Sequence, residues 1–178
     1  PRAKDAFIKA AKIAKKAGRQ VSLSLSDPFC VDRHRDEFID LVCNHVDILF
    51  ANEDEIKSLY QANTFNEAFE QVRGHCNIAA LTRGSKGSVI VSKNKVYELG
   101  AEKADNVVDT TGAGDAYAAG FLYGLTAEKE LATCGRIGGI VAAEIISNYG
   151  ARTKTDLQAV LRKYLNSFLK RIIREEIN

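Results

Sequence analysis

Val46-Asp47-Ile48-Leu49-Phe50 and Ile78-Ala79-Ala80-Leu81-Thr82 are two short apolar runs, and the chain between them is patterned for helices. Runs of this length read as buried strands. Between them the spacing predicts one helix over Glu53 to Gln61 and a second over Thr64 to His75, opened by Thr64 and Glu67 at capping-box spacing. This alternation of strand and helix predicts an α/β fold, a parallel sheet with helices on both faces.

The same reading extends outward. Phe7, Ala10, Ala11, Ala14 and Ala17 recur at helical spacing with lysines opposite, and Gly18 stops that helix. Val21 to Ser26 alternates strictly and predicts a strand, which Asp27-Pro28 breaks before a helix over Arg33 to Cys43. On the other side, Ser88 to Ser92 and Lys95 to Leu99 are strands joined by a turn at Lys93-Asn94. Three helices follow: Ala113 to Leu125, Glu128 to Asn148, and Thr155 to about Ile173. No internal repeat or linker divides the chain.

At 178 residues this is one domain with a real core. Apolar residues make up 46% and charged residues 27%, the balance of a soluble globular protein. A net charge of +2, with no basic run interleaved with aromatics, gives no argument for nucleic acid. No apolar stretch reaches the roughly 18 to 20 residues that span a bilayer, and no signal peptide is visible. The lysines near the start read as the solvated face of a packed helix. Cys30, Cys43, Cys76 and Cys134 are scattered, and His34, His45 and His75 form no metal-ligand spacing. Lone reduced cysteines fit the cytoplasm. The chain contains no methionine and opens on Pro1, which favours a piece of something longer.

Asp109-Thr110-Thr111-Gly112-Ala113-Gly114-Asp115 carries the chemistry. It sets glycines and carboxylates where an extended segment meets a helix, whose free N–H groups would form an anion site. Asp115 would stand beside the anion, an arrangement suited to phosphoryl transfer to a hydroxyl. The loop matches neither a Walker A nor a dinucleotide fingerprint. Asn52 and Glu55 have capping-box spacing, which alone explains them as a helix start. Arg83-Gly84-Ser85-Lys86-Gly87 is equally an ordinary turn between strands. Gly135, Gly138 and Gly139 interrupt a good helix at about 1 kcal/mol each, explained either by close helix packing or by room for a flat ring.

Asp109 to Asp115, with Ala116-Tyr117-Ala118-Ala119-Gly120-Phe121 after it, resembles the C-terminal signature of the PfkB (ribokinase-like) carbohydrate kinase family. The resemblance runs from about Val21 to Thr153. It implies a three-layer αβα ribokinase-like fold with a mostly parallel central sheet, ATP as phosphoryl donor, and Mg2+. Asp115 would be the catalytic base, with Gly112, Ala113 and Gly114 as the anion hole. A carboxylate at a helix start should stay ionised at neutral pH and act as a weak base, which suffices where positioning and N–H donors dominate. Asn52 and Glu55 resemble the family's Asn-x-x-Glu motif, which organises magnesium, water and phosphates. Thr82, Arg83, Gly84 and Gly87 resemble the loop lining the ATP phosphates and ribose, and Gly139 the helix face that receives adenine. Asp109 and Thr111, with Ile145 to Gly150, resemble a monovalent-cation loop, so K+ joins the expectations.

Within the family, Ser24-Leu25-Ser26-Asp27-Pro28-Phe29 and the run from Val46 to Glu53 look most like the adenosine kinase branch. The family's first half is missing: early strands, substrate-gripping residues, Gly-Gly signature and lid. Residues 1–178 would then be the C-terminal ATP-binding and catalytic part. The expected activity is transfer from ATP to the primary hydroxyl of a nucleoside, adenosine first. The alternatives are a sugar as in ribokinase or fructokinase, or a nucleotide-binding piece without catalysis. The expected partners are ATP and one small acceptor, in a monomer or homodimer.

Overall fold

The computed structural model describes residues 2–93 and 95–164. Among these residues five strands form one sheet in chain order: β1 (Ser22–Ser24), β2 (Ile48–Asn52), β3 (Ile78–Thr82), β4 (Ser88–Ser92) and β5 (Lys95–Leu99). The first three are parallel, and β4 and β5 run antiparallel to their neighbours. The sheet is therefore mixed, and its parallel part is the β1–β3 half on which the crossover helices lie.

Alternation along the strands splits the core in two. Leu49, Ala51, Ala79 and Leu81 face one side, where they share a cluster with Ile56 and Leu59 of α4 (Glu53–Tyr60) and with Ala68 and Val72 of α5 (Phe65–Val72). Ile48, Phe50, Ile78, Ala80 and Ile90 face the other, packing on Tyr117 and Phe121 of α6 (Ala113–Thr126) and Cys134 of α7 (Leu131–Ile146). Period-two side chains buried on both faces produce the three layers. Burying a side chain such as Leu49, Ile90 or Phe121 stabilises by about 1.5–3 kcal/mol. Phe121 also meets Phe50 edge to face, with ring centroids 5.5 Å apart.

The helices α6 and α7 pack closely because glycines face each other. A Cβ on Gly120 would lie 2.9 Å from the Gly138 Cα, and one on Gly138 would lie 2.7 Å from the Tyr117 carbonyl. Helix packing thus accounts for Gly138, while Gly139 faces a cavity.

Several boundaries differ from expectation for physical reasons. Asp27-Pro28 does not merely break a strand. Asp27 accepts hydrogen bonds from the Phe29 and Cys30 amides at 3.1 and 3.3 Å, with Pro28 in the first helical position, and so starts α2 (Pro28–Arg33). The helix expected from Arg33 is therefore two helices, α2 and α3 (Arg35–Asn44), parted at His34. The strand before them shrinks to β1 because Ser26 adopts φ 66°. In α1 (Arg2–Lys16) Ala11 is buried, but Phe7 stays 58% exposed and lies outside the packed stripe. Thr64 does cap α5, but Glu67 returns to the amide of Asn63 rather than of Thr64. Helical backbone runs over 157–164, and the rest of the last expected helix lies outside the described residues.

Candidate functional site

Register assembles the first wall of the site. Asn52 pairs with Thr82, Thr82 with Ser88, and Ser88 with Leu99, so four residues cross the sheet in one row. This row lies at the carboxyl ends of β2 and β3, where ligands of open α/β sheets bind.

At that end Asn52 caps α4. Its Oδ1 accepts from the amides of Asp54 and Glu55, each at 2.9 Å. Glu55 answers with both oxygens, accepting from the Asn52 amide and from Asn52 Nδ2, each at 2.8 Å. Glu55 as a residue is only 6% exposed. Burial pushes its pKa up, the Asn52 amide opposes that, and the nearby Asp27 and Asp54 charges add to it. Asn52→Ala removes the cap and one donor to this carboxylate. It should cost about 1–3 kcal/mol of stability in a urea titration.

The tip of α6 faces this row. Gly112 caps it at φ 80°, and the Ala113 amide donates to the Thr110 carbonyl at 3.2 Å. Among the described residues, the amides of Gly112, Gly114 and Asp115 find no acceptor. The available donors therefore include the amide of Asp115, which the sequence had not suggested, while that of Ala113 is already engaged. The exposed Asp115 carboxylate makes no hydrogen bond or ion pair among the described residues.

The tip is braced from behind. The Val108 and Asp109 amides donate to the Ile146 carbonyl at 2.8 and 3.3 Å. Asp109 accepts from the Thr111 amide at 2.9 Å and the Gly150 amide at 2.8 Å. These bonds, Thr111 foremost, hold its pKa below the usual carboxylate range. Asp109 and Thr111 thus tie the approach to α6 to the turn after α7, and neither lines the two cavities at the tip.

Two cavities meet at the tip. The first, ≈ 300 Å³, holds Asp115, Asn52, Glu55, Ser24 and Ser26. The second, ≈ 650 Å³, runs between the segment from Leu99 to Val107 and the α7 face carrying Gly135, Gly139 and Ile146. Thr82, Thr110, Ala113, Gly114 and Tyr117 line both. Of the free amides, that of Gly114 thus belongs to a residue lining both cavities, while Gly112 and Asp115 line the smaller one alone.

Of the expected site residues, Thr82, Gly84, Gly87 and Gly139 line the slot, and Asn52, Glu55 and Asp115 line the smaller cavity. Arg83 lines neither. Its Nε donates to Glu53 at 3.0 Å and its guanidinium lies 4.0 Å above the Phe65 ring, so its charge is turned toward α4 and α5. That bond in turn lowers the Glu53 pKa. Three features escaped the sequence. Tyr117 donates to Ser88 Oγ at 2.9 Å within the core, and burial pushes its phenol up to about 12 against the effect of that bond. Arg136 Nε donates to Glu102 at 3.1 Å inside the slot. Ser26, strained at positive φ, borders the smaller cavity.

The family described as pfkB family carbohydrate kinase matches residues 1–158. The nucleoside kinase of Methanocaldococcus jannaschii is 33% identical over 142 residues, which cover 80% of this chain and 46% of that protein. Among solved structures, a probable sugar kinase from Rhizobium etli CFN 42 superposes with a TM-score of 0.89 at 45% identity, covering 92% of this chain and 50% of that one. The adenosine kinase from Sinorhizobium meliloti gives the same TM-score of 0.89 and the same coverage, 92% and 50%, at 43% identity. The chain thus spans about half the length of these relatives. Its fold is ribokinase-like.

Proposed function

The chain belongs to the pfkB family of carbohydrate kinases, and we propose that it supplies the ATP-binding and catalytic part of a kinase acting on a nucleoside, adenosine first. The observation carrying this reading is that the two cavities share the helix tip at Ala113 and Gly114, the latter with a free amide, while Asp115 lines the smaller one alone. ATP would lie along the larger slot with its phosphates at the tip, and the acceptor would enter the smaller cavity. The acceptor oxygen forms its bond to the γ-phosphorus as the bond to the ADP oxygen breaks. Asp115 takes the hydroxyl proton, and the amides of Gly112, Gly114 and Asp115 hold the developing charge.

Magnesium would neutralise the phosphates during transfer. No group of three metal-ligating side chains occurs among the described residues, so the fit is to a hydrated ion held by the phosphates. Each Glu55 oxygen accepts one protein hydrogen bond and keeps a lone pair for a metal-bound water. The braced loop at Asp109 and Thr111 would carry K+ on backbone carbonyls. Among the described residues no helix is long and apolar enough to cross a membrane, and four free cysteines support a cytoplasmic setting.

The relatives named nucleoside and adenosine kinases favour a nucleoside, and the probable sugar kinase keeps a sugar in view. Incubating the full-length protein carrying this chain with Mg-ATP and adenosine, cytidine, ribose or fructose separates these. ADP release with adenosine and a 5′-monophosphate product is the expected result. Release with ribose or fructose alone would reassign the acceptor. ATP binding without turnover on any acceptor would leave a nucleotide-binding module.

A further inference from the structure

Among the described residues, Glu102 is the one acidic side chain lining the slot, and it does not line the smaller cavity that holds Asp115. Its Cγ lies 3.1 Å from where a Cβ on Gly139 would be, so it stands directly over the glycine face of α7. Its side chain is 16% exposed, and one oxygen is engaged by Arg136 Nε at 3.1 Å. Oε2 accepts no hydrogen bond among the described residues. A carboxylate in a nucleotide slot repels phosphate. This one is compensated by Arg136 and stands over Gly139 of α7, so the part of a nucleotide it suits is the uncharged base.

Beside Gly139 the slot is lined by Leu99, Val107, Ala142 and Ile146, and the charged side chains lining it besides Glu102 are the cations Lys103 and Arg136. A flat ring between such walls meets a single strong acceptor, Oε2. We propose that Glu102 is a base-specificity residue that accepts a hydrogen bond from an amino group on the edge of a purine, with Arg136 as its positioning partner. The inference rests on the slot being the nucleotide site. It adds a selection rule to that reading: bases that present an N–H donor to Glu102 bind, and bases without one bind weakly.

Calorimetric binding, which needs no turnover, tests this in the full-length protein carrying this chain. ATP is compared with purine riboside triphosphate, which lacks only the amino group, and with 2′-deoxy-ATP. ATP should bind at least about tenfold more tightly than purine riboside triphosphate, the worth of a hydrogen bond to a charged group. The 2′-deoxy compound should match ATP. Glu102→Ala should bring the ATP and purine riboside values within about twofold, chiefly by weakening ATP. Because that variant also removes the ion pair to Arg136, Glu102→Ala combined with Arg136→Ala should give the same loss of preference. Equal binding of the two purines by the parent, a preference that survives both variants, or sensitivity to the 2′-hydroxyl instead would overturn the assignment while leaving the nucleotide site intact. Failure to bind any of the three would sink the proposed function and this inference with it.

Discussion

Asp115→Asn should lower the rate of phosphoryl transfer roughly 100- to 10,000-fold, the range of a positioned general base, while ATP affinity stays within about threefold. Asn keeps the size of the side chain and leaves the Asp115 backbone amide in place, so the anion site survives. The carboxylate lines the smaller cavity and not the slot, which is why nucleotide binding and transfer should separate. It is exposed, caps no helix and pairs with nothing among the described residues, so the substitution should leave the unfolding midpoint unchanged. Steady-state kinetics beside calorimetric ATP binding reads both quantities. Equal losses of turnover and ATP affinity would mean that Asp115 works through the nucleotide and not through the acceptor.

Gly112→Ala should act in the opposite manner, through structure first. At φ 80° an L side chain is strained by about 1–2 kcal/mol. Its Cβ would also come within 2.6 Å of the Ala151 Cβ and 2.9 Å of the Ala151 Cα, an overpacking that costs about 1–3 kcal/mol more. The tip must shift to relieve this, and the free amides shift with it. Urea unfolding should therefore show a loss of about 2–5 kcal/mol, with ATP affinity falling in parallel. Adding Ala151→Gly removes one of the two colliding groups and should recover part of the loss, a non-additivity that identifies the contact. Full additivity of the two substitutions would rule that contact out as the cause.

What could be read from the residues was local. Strands β3, β4 and β5 lie where their apolar runs and flanking turns put them, and the Asn52–Glu55 cap follows from spacing alone. The turn into α6 was legible because Gly112 stands at φ 80°, a backbone conformation that few residue types adopt. Asp27-Pro28 was half legible. The same two residues that end a strand also begin a helix, and only the observed bonds to Phe29 and Cys30 decide between these.

What the sequence withheld was long-range. Arg83 finds Glu53 across 30 residues, Tyr117 finds Ser88 across 29, and Arg136 finds Glu102 across 34. Nothing near any of these side chains in the chain signals its partner. The direction of Arg83 is the clearest instance, since a cation beside a glycine loop invites a phosphate and is instead held by a carboxylate and an aromatic face. On the proposed reading, phosphates at the α6 tip would be held by backbone amides and not by Arg83.

The most direct test is a crystal structure of the protein with Mg2+ and a non-hydrolysable ATP analogue. The γ-phosphate should lie within about 3 Å of the Gly114 and Asp115 amides, with the base between Gly139 and the segment carrying Glu102. Phosphates bound elsewhere, with the α6 tip left to solvent, would contradict the account.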